Sequence, residues 1–250
     1  MNPSEIKEFL LWKSEQYEHP NFIETDPISI PHHYARKEDI EIIGLLVALI
    51  AWGNRKAIIQ SGKRLIQLFG ESPHDYVMHF EGHRQLDFVH RTFSSNDLRF
   101  FLLALKNIYH KEGLEATFQR PRGGGIQFAI ANFRKAILET PHDPMVKRHL
   151  SNPLINSSCK RINMFLRWMV RSPNKGVDFG IWNIISIQEL HVPLDVHTGN
   201  IARKLNMIGH RKQNDWVSSE LLHDKCCAIC PEDPAKLDFA LFGLGAFEKF

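Results

Sequence analysis

No apolar run in this 250-residue chain is long enough to cross a bilayer. The longest, Ile42 to Trp52, is eleven residues, where a membrane helix needs about 20. Cysteine is sparse too: of Cys159, Cys226, Cys227 and Cys230, three are crowded together, unlike a spaced disulfide framework. The opening MNPSEIKEFLLWKSEQ is charged and amphipathic and lacks a secretory core, so a reducing cytosol is the expected compartment. Neither charge sign dominates: 31 Lys+Arg face 28 Asp+Glu, a net +3. That balance permits nucleic-acid binding without a strong basic footprint. Sustained period-two alternation and internal repeats are also missing, which argues against sheets and repeat arrays.

What is present is ordinary globular composition, 43% hydrophobic and 24% charged, at a length that fits one large domain or two small ones. Helical periodicity dominates. Helices are expected at 4–17, over IEIIGLLVALIAW behind a cap at Asp39, and over RKAIIQSGKRLIQLF, closed by Gly70. Further ones are expected at 74–80, 95–111, 126–138, 143–150, 159–171, 178–184, 197–207, 215–223 and 233–246, with 18–37 a proline-broken loop. The fold class is therefore all-α.

Two short stretches carry chemistry. In NPLINSSCKRINMFLRWMV, residues 152–170, a polar turn delivers Lys160 to the start of an apolar helix. The unpaired N–H groups there can cradle a phosphate. The positive end of the dipole, with apolar cover from Phe165 and Trp168, would favour a neutral amine, the nucleophile that Schiff-base chemistry requires. In VPLDVHTGNIARKL, residues 192–205, Asp195 stands at the N-terminus of the next helix. Its bland role is capping.

Together the stretches resemble the helix-hairpin-helix DNA glycosylases of the endonuclease III superfamily. That family's hairpin reads L-P-G-V-G-x-K, ending in a catalytic lysine, and LINSSCK (154–160) has its length and terminal lysine. Its V-D-x-H-x-x-R-x-x-x-R-L segment is matched at Asp195, His197, Ala202, Arg203 and Leu205, while Asn200 stands at an arginine position of that pattern. LLVALIAWGNRKAI resembles the pocket-wall helix, with Asn54 in the polar position, and KLDFALFGLGAF the late helix. KRINMFLRWM is most similar to the archaeal-type 8-oxoguanine glycosylases. RWMVR, DFG and PLD-V-HT point to a related, largely uncharacterised bacterial branch.

The resemblance implies two helical subdomains with a cleft between them, 41–158 forming one and 1–40 with 159–250 the other. A damaged base flipped out of double-stranded DNA would enter the cleft. Lys160 would attack the sugar C1′, and Asp195 would stabilise the charge that develops there. The Schiff base would permit strand nicking, with an oxidised purine such as 8-oxoguanine as the expected lesion. Trp52, Asn54, Trp168, Asp238 and Phe242 would line the base pocket. Asn156, Ser157, Ser158, Arg161, His197 and Arg203 would contact the duplex. A monomer with no cofactor is expected.

The chain departs from the pattern at the hairpin, where Asn156 and Ser158 replace glycines. Asn tolerates the left-handed conformation, so the loss is partial. An inserted SPNKGVDFGIWNIISIQ would form a short extra helix capped by Asp178, and the cluster cysteines are absent. His223, Cys226, Cys227 and Cys230 form no paired zinc-finger spacing, so no metal is expected. Two other readings remain: a non-catalytic DNA-binding module of the same fold, and a protein binding a small nucleobase-like ligand.

Overall fold

The computed structural model describes residues 2–248 and 250, and it is all-α: no strand forms among the described residues. The chain divides into two compact units. One takes Met1–Phe22 with Asn152–Phe250, the other Ile23–Ser151. The sequence had placed the divisions at 40/41 and 158/159.

The Ile23–Ser151 unit is built around α3 (Lys37–Ile50), buried on every side from Asp39 onward, as its unbroken apolar pattern dictates. Asn54 caps α4 (Arg55–Phe69), and Gly70 closes it at φ 67°. Behind them come α5 (Pro73–Met78), α6 (Ser95–Tyr109) and α7 (Ile126–Leu138). Asp39 does not cap α3. Its carboxylate accepts from the His74 N–H at 2.7 Å and so fixes the start of α5.

In the other unit, α1 (Pro3–Tyr17), which α2 (Asn21–Glu24) follows, packs on α11 (Leu237–Gly243). The approach is close enough that a Cβ on Gly243 would meet the Tyr17 ring. Between them in sequence lie α8 (Lys160–Val170), α9 (Val196–Lys204) and α10 (Trp216–Ile229). Leu10, Leu194, Ile201, Leu222, Leu237 and Leu241 share one core. Two expected helices take other forms. Residues 144–149 make a 3₁₀ turn. Residues 178–184 are irregular, because the N–H groups of Phe179, Ile181 and Trp182 bond the Trp168 and Met169 carbonyls of α8 instead of their own segment.

Candidate active site

The turn before Lys160 is held by its own residues and by α10. Asn152 caps a 3₁₀ turn at Pro153–Ile155, after which Asn156 adopts the left-handed conformation, φ 67° and ψ 24°. It stands at the first glycine position of the hairpin pattern, and its side-chain amide donates to Asp215 at 3.1 Å. Asp215 also caps α10 through the Ser218 N–H and accepts from Arg211 at 2.6 Å. Burial opposes its ionisation, but these hydrogen bonds outweigh it and hold the carboxyl down to about 2. Ser157 pairs with Asp215 across a short antiparallel bridge, and the Ser158 carbonyl accepts from Asn163. The second positive φ falls on Cys159 (50°), not on Ser158, and α8 begins at the next residue, Lys160.

Lys160, Met164, Arg167 and Arg171 recur at spacings of four, three and four, so they form one stripe along α8. The half-buried Lys160 turns its Nζ to within 3.8 Å of the Met164 Sδ, down the stripe. Arg167 bonds Asp238 of α11 and, at 3.3 Å, Asp178. Arg171 bonds Asp178 at 3.0 Å, both carboxylate oxygens of Asp233, and Glu18 at 2.5 Å. Both guanidinium groups lie over the Phe239 ring. Asp195 is the N-cap of α9 and accepts from the Thr198 N–H at 2.9 Å.

The acids of this cluster (Glu18, Asp178, Asp195, Asp233 and Asp238) outnumber its three cations. Asp238 is among the more deeply buried of them, 6% exposed. Burial raises its carboxyl to about 6 against the pull of Arg167; the charge of Asp195 raises it further, and that of Lys160 lowers it. Lys160, Asp195 and Asp238, which span 78 positions of sequence, therefore share one electrostatic neighbourhood.

The remaining expected residues divide. Phe242 is half-buried, edge-on to His197 and to Phe22. Arg203 is spent on structure: its guanidinium holds the Arg211 and Lys212 carbonyls and the Asn214 side chain. Arg161 is largely desolvated, which lowers its affinity for its proton. Trp168 is wholly buried, its indole N–H unpaired among the described residues, so it belongs to the core and does not wall an open pocket. Trp52 and Asn54 belong to the other unit. Asn54 spends its side-chain oxygen on the Ala57 N–H, and Trp52 lies under the Arg91 guanidinium at 4.1 Å.

Asp178 corrects an expectation: it caps nothing and is a buried partner of two arginines. Neither Arg167 nor Arg171 was singled out. The available signal was two arginines at i, i+4 inside the otherwise apolar FLRWMVR, since buried charges demand buried partners. The three clustered cysteines are thiols; Cys226 is fully buried, and burial pushes its thiol well up. No group of three or more His, Cys, Asp or Glu is arranged for a metal among the described residues. No helix among them is long and apolar enough to cross a membrane.

Comparison with family models matches residues 26–247 to a family described as "Protein of unknown function (DUF2400)". No curated protein and no solved structure matches the chain.

Proposed function

The chain belongs to the family described as Protein of unknown function (DUF2400), and from the site it carries we propose that it is a DNA base-excision glycosylase with abasic-site lyase activity. Lys160 is the amine nucleophile, Asp195 the acid that stabilises the developing sugar cation, and double-stranded DNA bearing an oxidised purine the substrate. The observation that carries this reading is the placement of Lys160 at the first residue of α8, directly behind the left-handed Asn156 turn, with Asp195 at the N-cap of α9.

The hairpin supports it further. With Asn156 left-handed, the turn keeps the backbone form that a glycine supplies in the resembling family. The exposed Leu154 and Ile155 at its tip leave the turn open to a large partner. An amine at C1′ gives an imine, which borohydride reduces to a stable adduct.

The test is borohydride trapping on labelled duplexes carrying 8-oxoguanine, uracil or an abasic site. Wild type is expected to form a covalent adduct on at least one duplex. Lys160→Gln abolishes it, and Asp195→Asn, which keeps the cap, slows it by about 100-fold or more. Absence of any adduct from folded wild-type protein overturns the reading.

A further inference from the structure

Resting on that reading, we infer that Asp238 is the proton acceptor of Lys160, and that Arg167 is the positioning residue that aims its carboxylate. An ammonium has no lone pair, so attack at C1′ requires one proton to leave Nζ first. Asp195 has its own place in the proposed reaction, beside the charge that develops at C1′, and its Oδ1 caps α9 through the Thr198 N–H. Asp238 is better placed. Arg167 binds its Oδ2, and no donor among the described residues engages Oδ1. Lys160 and Arg167 lie on one stripe of α8; the Lys160 side chain runs along it toward Met164, and Arg167 holds the Asp238 carboxylate against the same stripe.

Other charges around α11 are committed elsewhere. Lys13 and Tyr17 of α1 bond Glu248, Glu18 bonds Arg171, Lys236 bonds Glu15, and His197 of α9 rests edge-on to Phe242. From α10 only the buried Cys226 thiol is felt, and it stays protonated. Lys160, Arg167 and Asp195 act on Asp238, and Asp178 shares its Arg167 partner, in the surroundings that bring its carboxyl to about 6. A carboxyl raised toward the range of an amine is a better proton acceptor than an ordinary one.

The steps balance. One Nζ proton passes to Asp238. The Nζ lone pair forms the N–C1′ bond as the C1′–base bond breaks, and its electron pair leaves on the base. Asp238 returns the proton to the departing base. A second Nζ proton moves to O4′ as the C1′–O4′ bond opens, leaving the protonated imine.

Two measurements test this. The first is single-turnover trapping against pH with wild type, Asp238→Asn, Arg167→Lys and Arg167→Met. The wild-type rate rises through pH ~6, as general-base loss predicts a limb at the acceptor's value; Asp238→Asn loses that limb and about 100-fold in rate, with duplex affinity within about 3-fold. Arg167→Lys retains more rate than Arg167→Met. The second needs no DNA: ¹³C-dimethyl-lysine titration by NMR, with Lys160→Arg for assignment. Asp238→Asn, which keeps shape and fold, lowers the Lys160 midpoint by about a unit, because a favourable neighbouring charge is gone. An unchanged midpoint overturns the pairing. An unchanged trapping profile overturns the acceptor role while leaving the proposed function standing. If wild type traps on no duplex, the proposed function falls, and the acceptor role with it.

Discussion

Burial leaves His191 flanked by Trp216 and His223, whose rings stack on it at 5.1 and 4.3 Å, with its Nδ1 3.0 Å from the Ser219 hydroxyl. Burial first, and then His223, bring its protonation down to about 3 from 6.5. A depressed histidine stays neutral in the folded protein while the unfolded chain takes up a proton. Its contribution is therefore intact above about 6.5 and is lost as pH falls toward 3, by ~2 kcal/mol at pH 5. Asp238 acts with the opposite sign. Its folded value lies above the unfolded one, so acid between about 6 and 4 favours the folded state. Urea unfolding at pH 7.5 and pH 5 separates the two. His191→Gln should lack the acid loss, so its change between the two pH values differs from wild type by ~2 kcal/mol. Equal changes in both proteins would contradict this account.

The hairpin and α8 are the elements on which function would rest, and both are testable as structure. At Asn156 the left-handed backbone disfavours any residue with a Cβ by roughly 1–2 kcal/mol, less for Asn. Asn156→Gly keeps the conformation but loses the bond to Asp215, whereas Asn156→Ala loses both. Thermal unfolding should place the Ala variant about 1 kcal/mol below the Gly variant. Along α8, Arg171→Met would strip a common partner from Asp178, Asp233 and Glu18. Breaking a buried pair from one side costs about 3–5 kcal/mol, so this variant should unfold at markedly lower urea. The α8 stripe was visible in the sequence as charges at helical spacing in an apolar helix. Its partners were not: Asp238 lies 71 positions from Arg167, and Asp233 lies 62 from Arg171.

At the scale of the molecule, a net charge of +3 permits the proposed duplex binding without requiring it, and salt dependence is the property that tests it. Each phosphate neutralised contributes about −0.9 to the slope of log affinity against log salt. Fluorescence anisotropy between 50 and 200 mM salt should show duplex affinity falling with salt. A flat line would favour the small-ligand reading. Arg203 should not add to the slope, since its guanidinium is already spent on the Arg211 and Lys212 carbonyls and the Asn214 side chain.

Local physics made the helices and their ends legible in the sequence. The 3.6-residue period marked α4 and α7, an unbroken apolar run marked α3, and short-range hydrogen bonds placed Asn54, Gly70 and Asp195 at helix ends. Asn156 could be expected to turn left-handed because its own side chain permits it. Where local rules conflicted with distant partners, tertiary structure decided. Asp39 and Asp178 had the form of caps but were drawn to His74 and to two arginines, because a buried carboxylate goes to the strongest donors within reach. Residues 178–184 had the pattern of a helix but were bonded along the end of α8. Composition and periodicity therefore determined an all-α chain with Lys160 and Asp195 at helix starts. Only packing brought Asp238 to Arg167 on α8, since no spacing rule reaches across 71 residues to pair a buried acid with its cation.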